Sequence, residues 1–475
     1  MTRRPNVVVV LTDDHAAHAI SAYGSVVNST PRIDEIGALG WRLEHCFATN
    51  SLCSPSRASI LTGTYSHVNG VTTLVTPIDA SQPTFVSQLK AAGYRTALFG
   101  KWHLGEGAGH DPEGFDEWQV FLEQGEYVDP QLLSADGLRV VPGYATEIVT
   151  DLALEWVDSL PGDDPWCVLV WHKAPHRPWT PDPARQRTLA AGSGPIPVPP
   201  TFDDDYATRT SSARRAAMRI AEHLTQEDLK EDPPPGLSYD ELALWKYQRF
   251  MEDYLACVES VDDNVGRIVD HLRDRGDLDD TLLVYASDQG FFLGDHGWFD
   301  KRFMYEESLR MPVLLSYPRL LAGGGVFDGI VSNVDWARSI LDACGVEPHP
   351  RMQGRSFWPD LLGEPAEPAA AGFYYRYWEH DDVFHKAPAH YGYRTDRHKL
   401  VYFYNDGLGL PGTGPGTYPG EWELYDLLED PHELRNVADD PAYAAVRAEL
   451  ETALWREQAR VGDAPHPSQP RPAGV

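Results

Sequence analysis

The chain has 475 residues, of which 42% are hydrophobic, and carries a net charge of −31. That length allows one large α/β domain with an appendage, or a few smaller domains, and a core ample enough to bury a catalytic pocket. The negative charge argues against non-specific binding to nucleic acid or to an anionic membrane surface, and no apolar run approaches the length that crosses a bilayer.

Met1-Thr2-Arg3-Arg4-Pro5 passes directly into an apolar strand, Asn6 to Leu11. That run is too short for a signal h-region and lacks a small-residue cleavage site, so a cytoplasmic location is expected. Thr12-Asp13-Asp14 closes the strand. The cysteines, Cys46, Cys53, Cys167, Cys257 and Cys344, include no Cys-x-x-Cys pair, so neither a disulfide framework nor a zinc knuckle is indicated.

Cys53-Ser54-Pro55-Ser56-Arg57-Ala58-Ser59-Ile60-Leu61-Thr62-Gly63 reads as a helix with Pro in its first turn and Gly at its end. Cys53 then sits at the helix N-terminus, where a thiol pKa is lowered. Arg57 falls one turn further on the same face.

Short β-branched runs then alternate with helical stretches. Thr96–Phe99, Cys167–Trp171, Leu282–Ala286 and Val313–Tyr317 read as buried strands, and Phe85–Ala92 and Ala145–Ser159 as helices. Apolar residues from Phe250 to Leu272 recur at helical spacing within a helix from about Trp245 to Arg273. The alternation predicts an α/β fold: a large, mostly parallel sheet with helices on both faces.

Residues 1–367 form the predicted catalytic domain, with 181–242, rich in Pro, Asp and Arg, as an insertion or lid. From 368 the texture changes to aromatic strands, Phe373–Trp378 and Leu400–Tyr404, a Gly/Pro-rich loop and a helix Ala442–Arg460. This reads as a smaller α+β subdomain over 368–461, and the proline-containing tail 462–475 as disordered.

Open parallel sheets bind ligands at the carboxyl ends of their strands. Asp13 and Asp14 follow the first strand, Lys101 and His103 follow Thr96–Phe99, His172 and His176 follow Cys167–Trp171, and Asp288 and Gln289 follow Leu282–Ala286. Four strands thus deliver polar residues to one edge. Adjacent aspartates at a strand end also suit an Asx turn or a helix cap. A second carboxylate and an amide oxygen on the same edge favour a hard-cation site.

The Cys53 run resembles the signature of the type I sulfatases, Cys-x-Pro-Ser-Arg followed by Leu-Thr-Gly. Gly100-Lys101-Trp102-His103-Leu104-Gly105 is similar to a second segment of that family, as are His172–Pro178 and Gly294–Arg302. Arg394–Leu400 and Glu423–Glu433 resemble the closing strand and the Glu-Leu-Tyr-Asp segment of bacterial members. The resemblance spans Asn6 to about Pro441.

It implies an alkaline-phosphatase-like fold and hydrolysis of sulfate monoesters. Cys53 would be converted to Cα-formylglycine by a formylglycine-generating enzyme. A divalent cation, Ca²⁺ with Mg²⁺ or Mn²⁺ as alternatives, would be held by Asp13, Asp14, Asp288, Gln289 and position 53, although many members carry Asn where this chain has Gln289. The family assigns Lys101 and Lys301 to sulfate oxygens, His103 as the base that expels sulfate and His176 to the ester oxygen; Arg57 is expected in the catalytic set, and His296 reads either as a substrate-rim residue or as an ordinary loop histidine. The segment Asp300-Lys301-Arg302 with Tyr305-Glu306 resembles members of the N-acetylglucosamine-6-sulfatase and mucin-desulfating type, which implies a sulfated carbohydrate. A phosphonate monoester or phosphodiester hydrolase with the same site is the alternative enzyme, and a silent binding protein with an unmodified Cys53 the non-enzymatic one.

Overall fold

The computed structural model describes residues 4–162, 164–183, 194–321, 323–368 and 370–472. Its main sheet has ten strands, with the four that carry the candidate site side by side near its centre: Thr281–Ser287, Asn6–Thr12, Trp166–Trp171 and Arg95–Gly100. All neighbours within this group are parallel. Every residue of Asn6–Thr12, Trp166–Trp171 and Thr281–Ser287 is buried. This is why they read as continuous apolar runs rather than alternating ones. Val313–Ser316 pairs antiparallel with Thr281–Ser287, so the sheet is mixed.

Two hydrophobic clusters cover the two faces. One contains Val8, Val10, Ala153, Trp156 and the apolar stripe of the long helix; the other contains Val7, Val9, Ile60, Leu89 and Trp336. The alternation of Val7 to Val10 between the two follows from the two-residue period of a strand. The long helix runs over Tyr239–Arg275, starting earlier than its apolar stripe. Ser238 and Glu241 form a capping box that fixes its beginning, and Gly276 ends it in the left-handed region at φ 76°.

The C-terminal part is a four-stranded antiparallel sheet, Gly372–Tyr377, His390–Thr395, His398–Phe403 and Glu421–Asp426, covered by the helix Ala444–Val461. It packs directly on the catalytic part. Phe47 stacks on Phe373 at 4.7 Å, Arg376 N donates to Thr49 O at 2.9 Å, and Tyr375 Oη donates to Arg302 O at 2.7 Å.

The expected disorder of the tail 462–475 is corrected over 462–472. Asp463 accepts from Tyr374 Oη at 2.6 Å and from Arg376 Nη1 at 2.7 and 2.8 Å, and Tyr391 Oη donates to Gln469 Oε1 at 2.6 Å. Tyrosine hydroxyls and the Arg376 guanidinium on the aromatic sheet need polar partners, and the tail supplies them. Residues 473–475 lie outside the described residues. Among the described residues no helix is long and apolar enough to cross a membrane.

Of the expected insertion 181–242, residues 184–193 lie outside the described residues. The rest holds three short helices, Ser211–Arg214, Ile220–His223 and Gln226–Leu229, and the start of the long helix. Arg209 and Asp228 from this stretch are each 2% exposed, so it is tied into the body.

Candidate active site

Parallel register sets the site. Thr12 lies opposite Ser287, so Asp13 and Asp288 leave the sheet next to each other, and Asp288 N donates to Thr12 O at 3.0 Å. Gly100 lies opposite Trp171, and Lys101 N donates to Trp171 O at 2.7 Å. A Cβ at Gly100 would stand 2.0 Å from the Trp171 carbonyl oxygen, and φ there is 106°. Glycine is therefore needed for the turn that delivers Lys101.

Cys53 is the first residue of the helix Cys53–Thr62, all of which is buried. The helix shows no apolar stripe because polar neighbours surround it. Ser56 Oγ donates to Asp288 O and accepts from Asn333 Nδ2 at 2.9 Å, and Thr62 Oγ1 donates to Ala58 O at 2.7 Å. Gly63, at φ 62°, closes the helix.

Arg57 is fully buried. Its Nε donates to Asp288 Oδ2 at 2.9 Å, its Nη1 to Lys101 O at 2.7 Å, and its guanidinium lies 5.1 Å from the centre of the Trp171 ring. Lys101 pairs with Asp13 Oδ2 and donates to Gln124 Oε1 at 2.5 Å. Lys301 Nζ reaches Asp14 Oδ1 at 2.7 Å and Oδ2 at 2.8 Å. His176 Nε2 lies 3.7 Å from Asp14 Oδ2. His103 Nδ1 lies 3.3 Å from Ser54 Oγ. Cys53 Sγ donates to Asp13 Oδ1 at 3.1 Å.

Ligand atoms of Asp13, Asp14 and Asp288 lie within 4.8 Å of one another, as do those of Asp13, Cys53 and His176. Gln289 Nε2 donates to Asp14 Oδ1 at 2.7 Å and approaches Cys53 Sγ at 3.9 Å, while its Oε1 is buried with no hydrogen-bond partner. Three clustered carboxylates and an unpartnered amide oxygen are an all-oxygen donor set that fits a hard divalent cation.

Burial would raise Asp13, but Lys101, His176, Arg57 and Lys301 hold it well below the ordinary carboxylate range. Burial raises Asp14 to about 6, and burial with the charge of Asp13 raises Asp288 to about 7. Lys301, despite burial, is held well above the ordinary lysine value by Asp14. Burial pushes His176 well below the usual imidazole range, and burial with Lys101 does the same to His103. Lys173 falls to about 8 through burial and Lys101.

Two expectations change. The helix N-terminus does not leave Cys53 with a lowered pKa: burial and the Asp13 charge push its thiol up. His296 is not on the rim. It is fully buried, 3.0 Å from Asp204 Oδ2, 2.8 Å from Arg209 Nη2 and 3.7 Å from Glu307 Oε2, among Phe292, Trp298 and Tyr305. His172 is buried and pushed down to about 3 by that burial.

Sequence reading missed the C-terminal contribution. Arg302 Nη1 donates to Tyr377 Oη and Glu379 Oε1, each at 3.0 Å, and His385 Nε2 lies 3.3 Å from Asp300 Oδ2. These contacts brace both neighbours of Lys301. The available signal was the run Glu379-His380-Asp381-Asp382 with His385, a polar cluster directly after an aromatic strand. Gln124 carried no signal, because a lone Gln in a loop is ordinary.

The sulfatase family profile matches residues 5–346, and the N-sulphoglucosamine sulphohydrolase C-terminal profile matches residues 294–460. The chain is 39% identical to the N-acetylglucosamine-6-O-sulfatase of Bacteroides thetaiotaomicron, over 97% of this chain and 88% of that one. It is 27% identical to the human N-acetylglucosamine-6-sulfatase over 76% of this chain and 65% of that one. A solved structure in complex with its substrate D-glucosamine-2-N,6-O-disulfate superposes with a TM-score of 0.88 at 38% identity, covering 97% and 98% of the two chains. The phosphonate monoester hydrolase of Agrobacterium radiobacter, at 23% identity and a TM-score of 0.75 over 96% of each chain, shares the fold. With the signature cysteine, the carboxylate cluster and the paired lysines gathered on one sheet edge, the chain belongs to the sulfatase family and is a sulfuric ester hydrolase.

Proposed function

We propose that the chain hydrolyses the 6-O-sulfate ester of a glucosamine sugar, with Cys53 converted to Cα-formylglycine and a divalent cation, Ca²⁺ with Mg²⁺ or Mn²⁺ as alternatives, held by Asp13, Asp14, Asp288, Gln289 and position 53. The convergence of Cys53, three carboxylates, Lys101, Lys301 and His176 carries this reading. The named activity of the 39%-identical relative supports the substrate class.

When present, the cation and the hydrated formylglycine supply Lewis-acid charge and the nucleophilic oxygen, with a second hydroxyl whose deprotonation releases sulfate. The chain's own residues do the rest. Asp13, Asp14 and Asp288 offset the charges of Arg57, Lys101 and Lys301, so a divalent cation makes the pocket positive within a chain of net charge −31. A cation held there would let a strongly acidic protein take an anionic ester. Lys101 and Lys301 stabilise charge on the transferred SO₃ group in a water-excluded space.

His176 Nδ1 lies 2.6 Å from the Arg177 carbonyl oxygen, so Nδ1 carries a proton and Nε2 is the nitrogen that serves the ester oxygen. An anionic ester beside the ring favours its protonated form, as general acid catalysis requires. His103, kept neutral by burial and by Lys101, is suited to accept a proton.

The experiment is sulfate release from glucosamine 6-sulfate by protein made together with a formylglycine-generating enzyme, beside an aryl sulfate and a phenylphosphonate monoester. Faster turnover of the phosphonate than of either sulfate would reverse the substrate reading. The tryptic peptide Leu43–Arg57 reports the modification, with Cys46 as internal control. Full alkylation of both cysteines in active protein would rule out the formylglycine route.

A further inference from the structure

The ring of His176 takes its orientation from the peptide that follows it. Its Nδ1 is 2.6 Å from Arg177 O, and its Nε2 is thereby turned towards Asp14. The position of the Arg177 peptide therefore decides where the proton for the ester oxygen stands.

That peptide is gripped from the segment 181–242. Arg177 Nε donates to Asp228 Oδ1 at 3.0 Å and Nη2 to Asp228 Oδ2 at 2.7 Å, a bidentate pair. Asp228 is 2% exposed and lies in the helix Gln226–Leu229. Its Oδ2 also accepts from Thr225 N and Thr225 Oγ1, each at 2.9 Å, so the carboxylate is itself fixed. Two residues on, Lys230 donates to the carbonyl oxygen of Trp179 and to Asp253 Oδ2, the latter at 2.7 Å. Tyr127 Oη holds the His176 carbonyl from the other side at 2.7 Å.

The guanidinium has a second carboxylate in reach. Arg177 Nη1 is 4.0 Å from Asp300 Oδ2, and Asp300 immediately precedes Lys301. Arg302 and His385 already hold that carboxylate, so loss of the Asp228 charge would draw Arg177 towards Asp300 and carry the carbonyl that orients His176 with it.

We propose that Asp228 is a positioning residue for sulfate-ester cleavage: through Arg177 it fixes the carbonyl that orients His176. The inference rests on the sulfatase chemistry proposed above. It gives part of the segment 181–242 a task in the reaction.

The test is a double-mutant cycle on glucosamine 6-sulfate. Asp228→Asn keeps the size and one acceptor for Thr225 but breaks the bidentate pair; it should lower kcat about 10- to 100-fold with KM within about threefold. His176→Ala should lower kcat further. Adding Asp228→Asn to His176→Ala should then cost nothing more, because a brace that acts through the ring has no ring left to orient. A loss that multiplies onto that of His176→Ala, or a silent Asp228→Asn, overturns the proposal. Should Asp228→Asn melt below the assay temperature, Arg177→Met cuts the same pair from its other end, and the same two outcomes decide. Absence of sulfate release by the unsubstituted, converted chain would instead overturn the sulfatase reading, and the brace with it.

Discussion

Lys301 Nζ bridges both carboxylate oxygens of Asp14, at 2.7 and 2.8 Å, with both side chains almost wholly removed from water. A buried lysine so close to a carboxylate keeps its charge, while burial and the neighbouring Asp13 charge outweigh Lys301 at the carboxylate, which is why Asp14 stands at about 6. The pair is neutral overall and fixes the Lys301 ammonium in the pocket.

Lys301→Met retains most of the side-chain volume and removes that charge. The expected loss in kcat is about 100- to 1,000-fold, corresponding to roughly 3–4 kcal/mol of transition-state stabilisation. Steady-state kinetics on glucosamine 6-sulfate checks it, and a loss confined to KM would contradict a role on the transferred group.

Addition of Ca²⁺ should raise the melting temperature, and chelation should lower it. At a hundredfold excess over Kd the stabilisation is about 2.7 kcal/mol. Gln289→Leu removes the buried Oε1 and should weaken cation affinity about 10- to 100-fold by analogy with other supporting metal contacts. Thermal melts against Ca²⁺ concentration measure both; a Gln289→Leu curve that overlays the unsubstituted one would remove Gln289 from the donor set.

All five cysteines are buried, and burial with Asp13 raises the Cys53 thiol. Native protein should therefore resist iodoacetamide at pH 8 whether or not Cys53 is converted. After denaturation a converted chain exposes four alkylatable thiols, Cys46, Cys167, Cys257 and Cys344. Rapid labelling of Cys53 in folded protein would contradict the burial argument.

His296 gives a stability signature with a defined pH window. Burial opposes its charge, but Asp204 and Glu307 outweigh burial and raise it to about 9 from an ordinary value of 6.5. A raised imidazole pKa stabilises the fold fully below about 6.5, and that contribution is lost as pH rises towards 9. The melting temperature should fall across this window more steeply in the unsubstituted protein than in His296→Gln. Parallel curves would show that His296 is neutral in the fold.

The tertiary arrangement also explains which site residues could be read early. Asp13, Lys101, His176 and Asp288 each follow a buried apolar strand, and apolar runs of that kind are visible without a structure. His296 follows no such rule. It sits in a loop beside recognisable residues, and only its contacts with Asp204 and Arg209, about 90 residues earlier in the chain, show that it is buried. The tail was misread for a related reason: composition reports the propensity of a segment, not the tyrosine hydroxyls of another strand that await it.

By itself the sequence determined the α/β alternation, the strand ends that carry chemistry, and the helix that begins at Cys53 and ends at Gly63. These are local properties, set by periodicity, by Pro and Gly, and by the position of charge relative to apolar runs. Only the tertiary structure decided the charge states, because burial and neighbouring charges act at distances that sequence spacing does not encode. It also decided that residues from the loop after the first C-terminal strand brace Asp300 and Arg302, and that Asp228, some fifty residues downstream, grips the segment carrying His176. Those partners meet only when strands and insertions from distant parts of the chain have packed around the same edge of the sheet.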